Sequence, residues 1–112
     1  MKFIINGILW KIKYVEYRSP MLLRSDGSRT VGMTDWNTRT VYLCGKLSKG
    51  FLQKVLCHEL CHCICFSYNI IIPIDQEEFL ADWISTHGRE VITLLDMILS
   101  CEKRQCDTTI SS

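Results

Sequence analysis

Five consecutive residues carry the strongest chemical signal in this chain. His58-Glu59-Leu60-Cys61-His62 has the pattern H-E-x-x-H, within a stretch whose other features suit a helix. Histidines at positions i and i+4 project from one face of a helix, close enough for both imidazoles to bind one zinc ion. The glutamate lies about 100° round the helix from the first histidine, where it could accept a proton from a water at the metal. The motif therefore predicts two metal ligands, His58 and His62, and a general base, Glu59.

A catalytic zinc ion needs three protein ligands and one open position, so a third ligand should follow the motif helix. The candidates lie on a second predicted helix: Asp75, Glu77, Glu78, Asp82 and His87. Glu78 and Asp82 are four residues apart and share a face, whereas His87 lies about 180° from Glu78 and is better interpreted as a packed histidine. The face of Glu78 also carries further polar residues and is typical of a solvated surface. Periodicity alone therefore does not identify the third ligand.

The helix that carries the motif is predicted to begin after an N-cap at Ser48 and to end at about Phe66 or Tyr68. One stripe of it is apolar, and cysteines line the opposite side. A helix that is apolar all round is buried. Glu59 falls at the edge of the apolar stripe, where an unpaired carboxylate is costly, and such a broken rule indicates a functional site. The stripe consists of Leu52, Val55, Leu56, Leu60, Cys63 and Ile64, and the opposite side of Cys57, Cys61 and Cys65.

Seven cysteines offer an alternative metal site. Cys57 and Cys61 are also at i and i+4, so a structural Cys/His zinc site is conceivable. Structural sites usually draw ligand pairs from two separate elements, and the remaining pair, Cys101 and Cys106, stands near the C-terminal end without Cys-x-x-Cys spacing. Cysteines on one short helix cannot easily form disulfides with one another, so we interpret most of them as reduced packing residues.

The elements around the motif predict an α+β fold, with a small mixed or antiparallel sheet packed on two main helices. Asn6-Gly7 is a strong hairpin dipeptide between extended runs at 2–5 and 8–17. A loop is predicted at 18–29, and a second hairpin joins 30–34 to 39–44 through residues 35–38. The second helix should begin at a cap on Asp75 and end at about Cys101. Its predicted core stripe consists of Leu80, Ile84, Val91, Leu95 and Ile98.

The length of 112 residues suits one domain, here residues 1–101, followed by a flexible C-terminal tail at 102–112. That tail could fold back into the cleft and bring Cys106 or Asp107 to the metal. The formal net charge of +1 leaves no basic excess for a phosphate backbone, so nucleic acid is not expected as a direct ligand. No apolar run approaches the ~20 residues of a membrane helix, and the first residues do not resemble a signal peptide. A cytoplasmic protein is expected.

Family resemblance distinguishes between the candidate third ligands. HELCH, followed by Glu78-Phe79-Leu80-Ala81-Asp82, resembles the gluzincin pattern of H-E-x-x-H and then E-x-x-x-D. The narrower string E-x-x-A-D resembles the ImmA/IrrE-type metallopeptidases that are common in phages and mobile elements. With the preceding hairpin, the resemblance covers roughly residues 30–90. It implies that His58, His62 and Glu78 bind one zinc ion, that Glu59 is the general base, and that Asp82 accepts a hydrogen bond from a ligand imidazole.

The resemblance implies a minimal zincin-like fold and a zinc metallopeptidase that hydrolyses a peptide bond in a narrow range of protein substrates. A repressor or regulator encoded by the same mobile element is the substrate it suggests. Tyr42, Tyr68 and His87 are the residues of a type that could stabilise the oxyanion. An extended substrate is expected to pair with the strand around residues 40–44. The alternative is a zinc-binding protein-interaction module, or a latent peptidase, without activity of its own. The oligomeric state stays open.

Overall fold

A computed structural model describes residues 1–106, and the side chains of residues 1–102. The fold is α+β, as predicted, and combines a four-stranded mixed sheet with two helices. The elements are β1 (Lys2–Ile5), β2 (Ile8–Val15), a short 3-10 turn (Pro20–Leu22), β3 (Gly32–Asp35), β4 (Thr40–Cys44), α1 (Lys49–Ser67) and α2 (Ile74–Cys106).

Two hairpins and one parallel pairing build the sheet in the order β1-β2-β4-β3. The first hairpin turns at Asn6 and Gly7, whose φ angles of 48° and 78° lie in the left-handed region, as a two-residue type I′ turn requires. β2 and β4 are parallel, and β3 returns antiparallel to β4. Both predicted hairpins are confirmed, although β3 begins two residues later than expected.

The sheet order overturns one expectation about substrate binding. β4 lies between β2 and β3, and all five of its residues are buried, so the strand at 40–44 cannot accept an added peptide strand. The edge strand on this side of the sheet is β3 instead. Strand propensity predicted both strands but carried no information about which of them would lie at the edge.

One face of the sheet packs on α1. Trp10, Val41 and Leu43 are fully buried against Cys63 of the helix. The indole Nε1 of Trp10 also donates a hydrogen bond to Oγ of Ser67 at 2.8 Å, which ties β2 to the end of α1. The sheet and the motif helix therefore form one hydrophobic core.

Helix α1 agrees with the prediction at both ends. Ser48 is the N-cap and accepts a hydrogen bond from the Phe51 amide, and the helix ends at Ser67. Cys63 faces the sheet, whereas Cys61 and Cys65 face α2 and pack against Ala81. Ile64, predicted to lie in the core stripe, is instead 44% exposed because it falls between these two packed faces.

Helix α2 differs more from the prediction. Its predicted core stripe is exposed, and the residues that α1 buries are Glu77 and Ala81. The physical reason is that α1 has only 19 residues and α2 has 33, so α2 continues beyond its neighbour. The exposed stripe consists of Leu80, Ile84, Val91, Leu95 and Ile98.

In the described part of the chain α2 extends to Cys106, five residues beyond the predicted end at Cys101 and into the predicted tail. The hypothesis that Asp107 or the side chain of Cys106 meets the metal concerns atoms outside the described part of the chain. None of the helices in residues 1–106 combines the length and the apolar content that a membrane span requires.

Candidate metal centre

The two histidines of the motif lie one turn apart on α1 and direct the same ring atom to the same point. The Nε2 atoms of His58 and His62 are 3.2 Å apart. This closeness follows from the i, i+4 spacing on a helix, which brings side chains of successive turns together. The two imidazoles therefore offer two nitrogen donors to one ion.

Glu78 on α2 supplies a third donor at that point. Its Oε2 lies 3.1 Å from Nε2 of His58, and its Oε1 lies 2.9 Å from Nε2 of His62. Ligand atoms of the three residues all lie within 4.8 Å of one another. Small packing residues allow this approach, because Cys61, Cys65 and Ala81 fill the contact between the helices. The group of His58, His62 and Glu78 could therefore hold a metal ion.

The opposite ring nitrogens of both histidines contact carboxylates of α2. Nδ1 of His58 lies 2.8 Å from Oδ1 of Asp82, and Nδ1 of His62 lies 2.5 Å from Oε2 of Glu77. A carboxylate beside Nδ1 favours the tautomer in which that nitrogen carries the proton and donates it. Each Nε2 also lies beside the Glu78 carboxylate, so it would offer its lone pair when a metal ion takes the place of a proton between Nε2 and Glu78.

The donor arrangement fits a cation for an electrostatic reason. Two Nε2 atoms and a carboxylate converge on one point, and their lone pairs repel one another at these distances unless protons or a metal ion lie between them. Glu77 and Asp82 add further negative charge behind the imidazoles. A metal ion at the shared point would relieve this repulsion and satisfy all three donors.

Glu59 is buried beside these donors, at 7% exposure, and is held by the edge strand. The Thr34 hydroxyl donates a hydrogen bond to Oε1 of Glu59 at 2.8 Å. Gly32, two residues earlier on β3, makes room for this contact, since a Cβ there would lie 2.6 Å from Cγ1 of Val55 and 3.2 Å from Cγ of Glu59. β3 therefore crosses α1 closely enough to fix the buried carboxylate.

A cleft of about 180 Å³ opens between β3, α1 and the beginning of α2. Glu59, His62 and Glu78 line it together with Arg24, and Trp36 lies at the wall with its ring 6.4 Å from that of His62. The candidate base and two candidate metal ligands thus face one space that a small segment of another molecule could enter.

The structure separates the remaining sequence candidates. Asp75 is exposed, and His87 is exposed beside the ring of Trp83 rather than packed in a core. Tyr42 is buried with Leu22 on the sheet face away from α1. Neither these three residues nor Tyr68 line the cleft.

Three residues contribute to the site in ways that were not predicted from the sequence. Glu77 was considered only as a ligand, although it contacts His62, and Thr34 and Arg24 were not considered at all. The sequence did contain a signal for Glu77. Ala81, Ser85 and Gly88 form a stripe of small residues, which marks the closely packed face of α2. Glu77 stands four residues before Ala81 and so lies on the same face. Thr34 and Arg24 come from distant parts of the sequence and carried no local signal.

The cysteines do not form a metal site in the part of the chain that the structure describes. No cysteine belongs to the group of donors that could share an ion. Burial raises the pKa of the Cys61 and Cys63 thiols to about 12, with neighbouring Cys65 adding to the shift at Cys61. Burial likewise raises the pKa of Cys65. These thiols stay protonated at neutral pH, as expected for packing residues, whereas a metal ligand must be a thiolate.

Comparison with protein-family models, with curated proteins and with solved structures finds no match for this chain. The resemblance of its motif to the gluzincin pattern therefore rests on the motif residues alone.

Proposed function

We propose that this chain is a zinc-dependent endopeptidase. The observation that carries the proposal is the meeting of His58, His62 and Glu78 at one point, with Glu59 buried beside them in the same cleft. A site that only holds a metal for structure has no use for an additional buried carboxylate, because burying that charge costs free energy. Glu59 is therefore the feature that favours catalysis over a purely structural site.

Zinc is the ion that best suits this donor set. Two imidazole nitrogens and one carboxylate from the protein, with a fourth position open, are typical of catalytic zinc sites. When bound, zinc would lower the pKa of a water molecule toward ~7 and polarise a substrate carbonyl. His58, His62 and Glu78 would hold the ion, while Asp82 and Glu77 would fix the orientation and tautomer of the two imidazoles.

Glu59 would perform the proton transfers. Its carboxylate would accept the proton of the attacking water and return it to the leaving amine, which is general base and then general acid catalysis. The hydrogen bond from Thr34 to Oε1 would keep the carboxylate in one orientation between these steps. Arg24, the cationic residue that lines the cleft, would face the negative charge that develops on the carbonyl oxygen.

The edge strand β3 would bind the substrate backbone. The Cys44 amide donates a hydrogen bond to the Val31 carbonyl, so by antiparallel alternation Met33 and Asp35 direct their backbone groups to β4. The backbone groups of Thr34 then point away from the sheet and could pair with an extended peptide. Such a peptide would run directly past Glu59, because the side chain of Thr34 contacts it.

The test compares the Glu59→Gln variant with the native chain. We expect both to bind one zinc ion per chain, and only the native chain to cleave members of a peptide library, read by mass spectrometry. Glu90→Gln, on the exposed part of α2, is the matched control and should cleave normally. Cleavage that survives in Glu59→Gln would remove Glu59 from the base role.

Bound zinc without any cleavage by the native chain would instead favour a zinc-bearing interaction module or a latent peptidase. If peptide cleavage is found, a repressor or regulator of a mobile element is the substrate to test first, since the motif resemblance suggests that class.

A further inference from the structure

The second half of α2 exposes an apolar surface that no other described residue covers. From Arg89 onward every residue of the helix whose side chain is described is exposed, and α1 is the only element with which α2 makes extensive contact. The exposed apolar residues are Val91, Ile92, Leu94, Leu95, Met97, Ile98 and Leu99, each at 47–59% exposure. An amphipathic helix normally gains its stability in water by burying such a face.

The apolar residues follow the pattern of helices that pack against other helices. Ile84, Gly88, Val91, Leu95 and Ile98 alternate at spacings of four and three residues, which is the seam of a coiled coil. The opposite side of the helix carries Thr86, Thr93 and Ser100, of which Thr86 and Thr93 also line a groove between α1 and α2. The distal part of α2 therefore has one face built for a partner and one for water.

The seam is complementary to itself when a second helix runs in the opposite direction. With residue 93 at the two-fold axis, Val91 lies opposite Leu95 of the other copy and Gly88 lies opposite Ile98. Glycine inside a helix is unfavourable by roughly 0.5–1 kcal/mol relative to alanine. At Gly88 the absent side chain makes room for Ile84 of the same helix, whose Cγ1 lies 3.0 Å from the position of a Cβ, so Val91 and Leu95 make the closest contacts of the seam.

The charges favour the same antiparallel direction. Beside the seam, α1 and α2 diverge to form an apolar groove with Lys54 and Arg89 among its lining residues. The distal part of α2 carries Asp96 and Glu102, both exposed. With the axis at residue 93, an antiparallel partner brings its Asp96 to the level of residues 89 and 90, on the side of the helix that carries Arg89 rather than Glu90, whereas a parallel partner would bring each Asp96 to the level of the other.

We propose that two copies of this chain associate through the distal half of α2, packed antiparallel about a two-fold axis near residue 93. The distal helix of each copy lies along the seam of the other, and its acidic end approaches the groove at the other copy's Arg89. This surface is separate from the candidate metal centre, so the proposal does not depend on the proposed activity.

The mass of the full chain in solution gives the first test. Sedimentation equilibrium at micromolar concentrations should give twice the chain mass of 13.0 kDa. Leu95→Asp places a charge in the seam and should raise the dimer dissociation constant at least about 30-fold, as for a central buried anchor. Ser100→Asp adds the same side chain on the side opposite the seam and outside the groove, and it should leave the dimer intact. Circular dichroism and urea unfolding verify that both variants fold.

A native chain that stays monomeric at micromolar concentrations would overturn the proposal. The apolar seam of α2 would then be left to a different protein. Equal weakening by Ser100→Asp and Leu95→Asp would also overturn it, because the side of the helix opposite the seam would then be part of the interface.

Directed cross-linking tests the antiparallel register. In a Cys101→Ser background, Gly88→Cys chains are mixed with Ile98→Cys chains and oxidised. We expect a disulfide that joins positions 88 and 98 of different copies, identified by peptide mass spectrometry. A disulfide between two copies of the Ile98→Cys chain would indicate parallel helices and overturn the arrangement. A Ser100→Cys chain, altered on the side opposite the seam, should not cross-link to either.

Discussion

Nδ1 of His62 lies 2.5 Å from Oε2 of Glu77, and both side chains are 7% exposed. This buried pair joins the motif helix to α2 directly behind the candidate metal position. The carboxylate fixes the imidazole so that Nε2 points at Glu78, the next residue along α2. Two consecutive glutamates thus have different roles, one as a possible ligand and one as the residue that orients a ligand.

Loss of the Glu77 carboxylate should weaken zinc binding without abolishing it. We expect Glu77→Ala to lower the affinity about 10- to 100-fold, the usual effect of removing a partner that orients a ligand histidine. Competition with a chromophoric chelator measures this, and Asp75→Ala, exposed on the same helical turn, is the control. Unchanged affinity in Glu77→Ala would show that the pair does not support the metal site.

Removal of Glu78 should have a larger effect, because it removes a donor atom itself. We expect Glu78→Ala to weaken zinc binding by several orders of magnitude, whereas Glu90→Ala, further along α2, binds normally. Elemental analysis after dialysis measures the stoichiometry. If Glu78→Ala kept one zinc ion per chain, the third ligand would have to be sought elsewhere, with Glu77 the first candidate.

The Thr34 hydroxyl should matter for cleavage more than for metal binding. Thr34→Val keeps the shape of the side chain but removes the donor to Oε1 of Glu59. Loss of a hydrogen bond to a buried carboxylate lowers the free energy of unfolding by about 1–3 kcal/mol. We therefore expect lower stability in urea and slower peptide cleavage, at unchanged zinc affinity. Thr34→Ser keeps the hydroxyl and should be close to the native chain. Normal cleavage by Thr34→Val would exclude Thr34 from positioning the base.

A side chain at Gly32 should separate β3 from α1. A Cβ at this position would lie 2.6 Å from Cγ1 of Val55, so we expect Gly32→Ala to destabilise the fold by about 1–3 kcal/mol in urea unfolding. Gly50 lies in the first turn of α1, where a Cβ would meet no packing neighbour among the described residues within 4 Å. Gly50→Ala should therefore be neutral or slightly stabilising. Equal stabilities of the two variants would contradict the close approach of β3.

The buried thiols should make the fold sensitive to alkaline pH. Burial raises the pKa of Cys63 to about 12, whereas a thiol in the unfolded chain titrates near ~8.5. The free energy of unfolding should be unaffected by this group below about pH 8.5 and should fall as the pH rises toward 12, because only the unfolded chain releases the proton.

Urea midpoints measured as a function of pH test this expectation. Cys63→Ala should show a shallower alkaline decline than the native chain, whatever its stability at neutral pH. Cys101→Ala, which replaces an exposed thiol, should leave the slope unchanged. Identical slopes for Cys63→Ala and the native chain would mean that Cys63 does not contribute.

Much of the fold could be predicted because local interactions specify it. Asn6-Gly7 adopts the left-handed angles of a tight turn in any context, and the Ser48 cap fixes the start of α1 through a bond to a neighbouring amide. The spacing of His58 and His62 likewise sets their separation once the helix forms. These features depend on a few adjacent residues and were confirmed.

The apolar stripe of α2 was assigned wrongly for a physical reason. Periodicity identifies which residues share a face, but it does not tell whether a neighbouring element is long enough to cover them. The short α1 covers only the beginning of α2, so the packed face is that of Ala81 and Glu77, whereas Val91 and Ile98 are exposed.

The sequence by itself determined that two imidazoles and a carboxylate lie on one helix, because helical geometry fixes the direction of each side chain. The same helix was predicted to be buried all round, whereas Phe51 and Ile64 are exposed. Only the tertiary structure decided what faces the two imidazoles and the carboxylate. The packing of α2 on α1 brings Glu78 to the Nε2 atoms and Glu77 behind His62, and the sheet order puts Thr34 over Glu59. These contacts join residues far apart in the chain, and only the packed core sets their distances.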